Sequence, residues 1–247
     1  MNVDAFLSHR EVDPNAVNGR VAVVVDVVRA TSTMVEALAH GARAILPALS
    51  VDEALELVKT LGQEDTALCG ERGGLKIEGF DLGNSPAEFT ADRVEGKRLI
   101  MTTTNGTRSF RAAEGARKVF AASFLNVSAV ARAAAGEIQE GATGLVVICA
   151  GKEGRFGLDD AVCAGALLRR FREVWSGELF PGDGARACEA LAERFTADAG
   201  FLTGTAAGRA LVEVDLAQDL QDCARMDARD VVPEMKDRQI RLREPHG

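Results

Sequence analysis

The stretch Val21-Ala22-Val23-Val24-Val25-Asp26-Val27-Val28-Arg29-Ala30-Thr31-Ser32-Thr33 decides how the chain is read. Five small apolar residues in a row suit a strand covered on both faces, as in sheets flanked by helices. The run stops at a carboxylate and a hydroxyl-rich turn, after which Met34 to Ala39 has helical composition. The same order recurs along the chain. Further strands are expected over Ala44 to Ala48, Ala67 to Gly70, Arg98 to Met101, Lys118 to Ala122 and Leu145 to Ala150. Further helices are expected over Asp52 to Leu61, Arg108 to Ala113, Asn126 to Ala135 and Asp159 to Phe171, with Asp52 and Asp159 as N-caps. Alternation of this kind predicts an α/β fold: a three-layer α/β/α arrangement with a largely parallel or mixed sheet.

Past Phe171 the pattern changes. Ser176 to Gly184 is turn-rich, while Ala185 to Phe195 and Ala206 to Met226 read as helices, so residues 172–237 are expected as a helical C-terminal part. Arg238 to Gly247 is polar and expected to fray. The whole of 1–247 reads as one domain, long enough for a substantial core. An internal echo lays Thr33, Ala39, Gly41, Ala42, Arg43 and Ala48 over Thr107, Ala113, Gly115, Ala116, Arg117 and Ala122. It suggests a duplication of residues 20–50 and 97–125, although any short helix closed by Gly before a buried strand looks similar.

The composition narrows the class. Lys plus Arg number 29 and Asp plus Glu 37, for a formal charge of −8, which argues against a chain built to neutralise a phosphate backbone; no nucleic-acid partner is expected. No apolar run approaches the roughly 20 residues needed to span a bilayer, so no membrane partner is expected either. The five cysteines are scattered and contain no Cys-x-x-Cys pair, which fits reduced thiols and a cytoplasmic location. Twenty-five glycines against six prolines imply many tight turns between regular elements.

Three expected strands end in loops of one type: Asp26 to Thr33, then Thr102-Thr103-Thr104-Asn105-Gly106-Thr107-Arg108, then Gly151-Lys152-Glu153-Gly154-Arg155. Each runs into an expected helix. In open α/β sheets ligands bind outside the carboxyl ends of the strands, where helix N-termini offer unpaired N–H groups to anions. Arg29, Arg108, Lys152 and Arg155 add full positive charges in the same loops. One such loop alone reads equally well as helix capping. Three together, on an acidic chain, imply a small anionic ligand. A fourth segment, Gly70 to Pro86, is too rich in Gly and charge for regular structure and reads as a functional loop that brings Glu71 and Arg72.

Asp26 closes an apolar strand, and Glu71, Asp81, Glu153 and Asp159 offer further hard oxygens. That set suits Mg²⁺, which takes one or two carboxylates together with phosphate oxygens and water. With arginines nearby it points to phosphoryl chemistry, although Asp26 also reads as an N-cap. A second phosphatase chemistry is written in Cys149-Ala150-Gly151-Lys152-Glu153-Gly154-Arg155, whose Cys-to-Arg spacing is that of the thiolate phosphatases. Other templates are missing. There is no Gly-x-x-x-x-Gly-Lys-Ser/Thr, no Gly-x-Gly-x-x-Gly after a strand, and Val28 stands where an aspartyl phosphatase would carry a second Asp. His9, His40 and His246 are too few and too dispersed for phosphohistidine or metal chemistry.

These loops closely resemble the 2-phosphosulfolactate phosphatase (ComB) family. The likeness is carried by Asp26 to Thr33, Gly70 to Gly74, Gly79-Phe80-Asp81-Leu82-Gly83-Asn84-Ser85-Pro86, Thr102 to Arg108, Cys149 to Phe156, Asp159-Asp160 and Asp230-Val231-Val232-Pro233, and runs from about residue 2 to residue 235. The resemblance implies an α/β fold peculiar to that family. It also implies a Mg²⁺-dependent phosphatase that hydrolyses (2R)-2-phospho-3-sulfolactate to (2R)-3-sulfolactate and phosphate, on the route to coenzyme M. Such a substrate carries three anionic groups on three carbons. The expected site therefore has Asp26 as metal ligand or attacking group, with Glu71 and Asp159 as further metal-ligand or base candidates. Arg29, Thr31, Ser32, Arg72, Thr104, Asn105, Gly106, Thr107, Arg108, Lys152 and Arg155 are expected to bind the substrate. The alternatives are a phosphatase of another small phosphorylated hydroxy acid, by Cys149 and Arg155, or a non-catalytic small-anion-binding protein. A homodimer is the default for an enzyme of this size.

Overall fold

The structure is a computed structural model and describes residues 1–62 and 64–244. Among the described residues eleven strands form one sheet. They are β1 (Asn2–Phe6), β2 (Val21–Val25), β3 (Ala44–Pro47), β4 (Thr66–Arg72), β5 (Leu75–Lys76), β6 (Arg98–Thr102), β7 (Lys118–Ala122), β8 (Gly144–Cys149), β9 (Phe180–Pro181), β10 (Pro233–Lys236) and β11 (Gln239–Leu242). The helices are α1 (Ala30–Ala39), α2 (Val51–Leu61), α3 (Ala91–Val94), α4 (Gly106–Ala112), α5 (Val127–Gln139), α6 (Leu158–Val174), α7 (Asp183–Arg194), α8 (Ala199–Gly204), α9 (Ala206–Val212) and α10 (Asp219–Cys223). The α/β class and the mixed sheet are as expected.

The sheet order is β5-β4-β6-β3-β11-β10-β7-β2-β8-β1-β9. β2 lies between β7 and β8 and is parallel to both, with every residue from Val21 to Val25 buried, which explains its unbroken β-branched run. β3, β6 and β4 form a second parallel set. Between the sets stands the β10–β11 hairpin, antiparallel to β7 on one side and to β3 on the other. Three successive antiparallel pairings make β3, β6 and β4 run opposite in sense to β7, β2, β8 and β1. The functional loops therefore leave strands of one sense within each set and of opposite sense between the sets.

The two sets share one apolar layer. Ala22, Val24, Ala121 and Ile148 of the first set cluster with Ile45, Cys69, Leu99 and Met101 of the second, around Met34 and Leu38 of α1 and Phe110 of α4. The opposite face of β2 and β8 is covered by α5, α6 and α7 through Val23, Val147, Val130, Leu167 and Cys188, and α2 covers β3 and β6 from outside. α5 can lie close to the sheet because Ala131, Ala134 and Ala135 form its buried stripe. The two segments of the sequence echo each fold as strand, loop, helix, strand: β2-α1-β3 crosses from the first set to the second, and β6-α4-β7 crosses back.

Several local expectations are corrected. Ser50, not Asp52, caps α2, its hydroxyl accepting from Glu53 N at 3.1 Å, and Asp159 lies in the first turn of α6 behind the cap residue Gly157. β1, β5, β9 and α8 were not foreseen. The helical C-terminal part ends at Cys223, and residues 233–242 form the central hairpin instead of fraying, since Ile240 is buried in the shared layer. Positions 245–247, His246 included, lie outside the described residues.

Candidate functional site

A cavity of about 450 Å³ opens where the two strand sets meet. Asp26 enters it from the end of β2, Thr103, Thr104 and Asn105 from the loop after β6, and Gly73 and Gly74 from the β4–β5 turn. Gly151, Lys152 and Glu153 follow β8, Asp159 and Asp160 open α6, and Ala207, Ala210 and Leu211 on α9 with Val214 beyond it form an apolar roof. The loops are tied to one another by carboxylates. Asp160 accepts from Val27 N through Oδ1 and from Gly151 N through Oδ2, both at 2.8 Å, and so joins the loops after β2 and β8. Glu71 accepts from Thr104 N and Thr104 Oγ1 through Oε1, both at 2.8 Å, and from Gly74 N through Oε2 at 2.9 Å. Each carboxylate ties loops of one strand set, and the bond from the Arg29 guanidinium to the Gly74 carbonyl crosses from one set to the other.

Asp26 stands between them. Its main-chain oxygen accepts from Thr31 N and Thr31 Oγ1, and its Oδ1 takes only a long bond of 3.4 Å from Ala30 N, so the capping role suggested by the sequence is a weak one. The loop after β6 comes so close that a Cβ built on Gly106 would lie 2.9 Å from Asp26 Oδ2 and 2.7 Å from Ala30 Cβ, which requires glycine there. Gly151 meets a similar constraint at φ +67°, its missing Cβ lying 2.1 Å from the Arg155 carbonyl oxygen.

Six carboxylates line the cavity (Asp26, Glu71, Glu153, Asp159, Asp160 and Glu213) against two cations, Arg29 and Lys152. Burial, then the Asp159 and Glu71 charges, raises the Asp26 carboxyl from 3.8 to about 7, partly opposed by the Ala30 N–H and Arg29. Burial also raises Asp159 to about 6 against the pull of main-chain N–H groups and Lys152. Asp160 is pushed well up by burial and by its two acidic neighbours. An excess of buried carboxylates facing a ligand space is what a hard divalent cation would relieve. Among the described residues no three His, Cys, Asp or Glu side chains group tightly enough to cage a metal unaided. The donor set therefore fits Mg²⁺ held by one or two carboxylates with water and ligand oxygens. Of the four buried carboxylates Asp26 and Asp159 are the ones available for it, because the Glu71 and Asp160 oxygens serve N–H and O–H donors; Glu153 and Glu213 are exposed.

The expected binding residues divide. Thr104, Asn105, Lys152 and Arg29 line the cavity, and Gly106 adjoins it. Arg29 is spent on structure: its guanidinium is buried, donating to Asp219 Oδ2 and to the Gly74 carbonyl. Thr31 and Ser32 are buried in α1, with hydroxyls on the Asp26 and Val27 carbonyls, and Thr107 Oγ1 donates to the Thr103 carbonyl. Arg72 donates to the Glu71 carbonyl and Thr102 Oγ1, and like the exposed Arg108 and Arg155 it does not line the cavity. Asn84, Thr103, Asp160 and the α9 roof were missed. Asp160 and Asn84 lay inside motifs already singled out, but α9 carries no polar signal. The thiolate route fails on burial: Cys149 is inaccessible, and a hydrogen bond with Cys188, burial and nearby Asp160 push its thiol well up, the reverse of what a nucleophilic thiolate needs. His9 and His40 are outside the cavity.

A sequence profile described as 2-phosphosulpholactate phosphatase matches residues 6–238. This chain belongs to that family. It is 37% identical over 240 residues to a probable 2-phosphosulfolactate phosphatase of Clostridium acetobutylicum, covering 97% of this chain and 100% of the relative. A protein of the same description from Symbiobacterium thermophilum is 38% identical over 230 residues, covering 92% of this chain and 95% of its own length. One from Thermotoga petrophila is 38% identical over 215 residues, covering 87% and 88%. The 2-phosphosulpholactate phosphatase family is one of phosphoric monoester hydrolases, and the chain is an enzyme of that class. Among the described residues no helix is long and apolar enough to cross a membrane.

Proposed function

We propose that this enzyme hydrolyses (2R)-2-phospho-3-sulfolactate to (2R)-3-sulfolactate and phosphate, with Mg²⁺, as a step toward coenzyme M. The observation that carries the reading is the convergence of Asp26, Asp159, Thr104, Asn105 and Lys152 on one cavity in a chain of this family. The relatives' printed description supports the substrate. Asp26 and Asp159 would hold the ion. When bound, it offsets the charge on the phosphoryl oxygens and reconciles an acidic cavity with an anionic substrate.

The chain's own groups supply the rest. Lys152 and the Asn105 amide supply donors to phosphoryl, sulfonate and carboxylate oxygens, and Glu71, which accepts from both the N–H and the hydroxyl of Thr104, fixes the loop that carries Asn105. The roof of Ala207, Ala210, Leu211 and Val214 keeps bulk water from the far side, which strengthens every charge interaction below it. The cavity of about 450 Å³ has room for a three-carbon skeleton with its three anionic groups. The free, buried cysteines and the small-molecule substrate support a cytoplasmic enzyme, and a homodimer is the proposed assembly. The test is phosphate release from 2-phosphosulfolactate, 2-phospholactate, 2-phosphoglycolate and p-nitrophenyl phosphate with Mg²⁺. Highest kcat/KM for the sulfonate is the expected result. Faster turnover of another phosphorylated hydroxy acid would move the substrate, and no turnover of any would leave a binding protein.

A further inference from the structure

One wall of the cavity is apolar. Val28 from the loop after β2 lines it together with Ala207, Ala210 and Leu211 of α9 and Val214 just beyond. Val28, Leu211 and Val214 belong to the apolar cluster that also holds the buried faces of α5 and α6, so the wall is an edge of the core that reaches the cavity. The Leu211 and Val214 side chains stand over the Gly73–Gly74 turn: a Cβ built on Gly74 would lie 3.4 Å from Leu211 Cδ2 and 3.4 Å from Val214 Cγ2. That turn lines the cavity as well and, being glycine at both positions, adds no side chain to it. The positive charge on the other walls is small. Arg29 and Lys152 are the cations that line the cavity, and the Arg29 guanidinium is taken by Asp219. With the proposed divalent cation on the phosphate and Lys152 on the carboxylate, a substituent on C3 of the substrate has no cation left to meet and has the apolar wall beside it. A three-carbon skeleton does not fill the space either, since about 450 Å³ lies within the roughly 300 to 1,000 Å³ of cavities that enclose drug-sized ligands.

We propose that the enzyme has a second substrate class, the phosphate esters of 2-hydroxy acids that carry an aryl or branched alkyl group on C3, with that group seated against Val28, Ala210, Leu211 and Val214. The inference rests on the phosphatase reading above and extends it beyond sulfonates. Seating the group removes apolar surface from water on both the ligand and the wall, which strengthens binding in proportion to the area covered. The chemistry is unchanged. The oxygen of a water molecule forms a bond to phosphorus, and the bond from phosphorus to the C2 oxygen breaks with its electron pair left on that oxygen. One water proton ends on the C2 oxygen as the alcohol and the other stays on the released hydrogen phosphate, so no other reactant is consumed.

The experiment compares 2-phospho-3-phenyllactate with 2-phospholactate, which differ by the ring alone, as substrates of wild type, Ala210→Asp and Val214→Asp with Mg²⁺, and measures the wild-type Kd for 3-phenyllactate and for lactate by calorimetry. Wild type is expected to favour the phenyl ester tenfold or more in kcat/KM, chiefly through KM, and to bind phenyllactate at least tenfold more tightly than lactate. Each aspartate puts a charge into the wall, so the ratio of the two kcat/KM values should fall at least fivefold in both variants, whatever happens to the turnover of 2-phospholactate itself. A phenyl ester turned over no better than 2-phospholactate by wild type would overturn the proposal, and this comparison does not depend on the variants folding. So would a phenyl preference that survives both substitutions. If wild type releases no phosphate from 2-phosphosulfolactate or 2-phospholactate, it is the phosphatase reading that fails, and the two Kd values still decide whether the wall binds an apolar group.

Discussion

Asp26 shows at the level of one residue what the sequence could and could not convey. Its place at the end of a buried strand was legible, because Val21 to Val25 leave no other register. Its chemistry depends on Asp159 and Glu71, which arrive from elsewhere in the chain and raise its carboxyl to about 7. The consequence for stability has a definite sign. A carboxyl raised on folding favours the native state most at pH below its unfolded value, near 4, and that advantage is lost as pH rises through 6 to 7. In EDTA the melting temperature is therefore expected to fall between pH 5 and pH 8. Adding Mg²⁺ should restore most of the loss. Asp26→Asn should make the profile shallower and melt above wild type at pH 8, while the raised carboxyls of Asp159 and Asp160 keep part of the slope. Calorimetry across that range checks it, and a flat wild-type profile would remove the electrostatic account of the site.

Among elements, the helical C-terminal part is where sequence reading stopped short. Its helices were visible from composition, but nothing in Ala206 to Val214 announces a cavity wall. Arg29 was read as an anion holder because charge type is legible and direction is not. Its partner, Asp219, is 190 residues away. Asp219 takes both the Arg29 guanidinium and the Ser85 hydroxyl and so clamps α10 over the loops after β2 and before α3. Asp219→Ala leaves a buried guanidinium unpaired, a loss of about 3 to 5 kcal/mol. At roughly 2 to 4 °C per kcal/mol for a chain of this size, the melting temperature should drop by about 10 °C. Early proteolysis within residues 195–230 should accompany it. A shift under 2 °C would show that the clamp is idle.

For the molecule as a whole, the alternation of strands and helices was enough for the α/β class, and β2 and β7 match their expected limits. The central hairpin was not legible: Pro233 to Lys236 and Gln239 to Leu242 are short and polar, with Ile240 as the fully buried apolar residue. Its insertion reverses one half of the sheet against the other. The site loops of the two halves nonetheless meet at one cavity, beside the apolar layer the halves share. The cation count was misjudged because charge type is legible in a loop and side-chain direction is not: Arg72, Arg108 and Arg155 are exposed and do not line the cavity, although Arg155 shares its loop with Lys152. What remains is an acidic cavity with Lys152 and a structural arginine, which under the proposed function takes an anionic substrate together with a divalent cation.

The most direct measurement is phosphate release from 2-phosphosulfolactate by wild type, Asp26→Asn and Cys149→Ala, each with Mg²⁺ and with EDTA. Wild type and Cys149→Ala should turn over within about threefold of each other and stop in EDTA, while Asp26→Asn should lose about a hundredfold or more, as expected when a group at the reacting centre is removed. Full activity of Asp26→Asn, indifference to EDTA and abolition by Cys149→Ala would contradict the account at its centre.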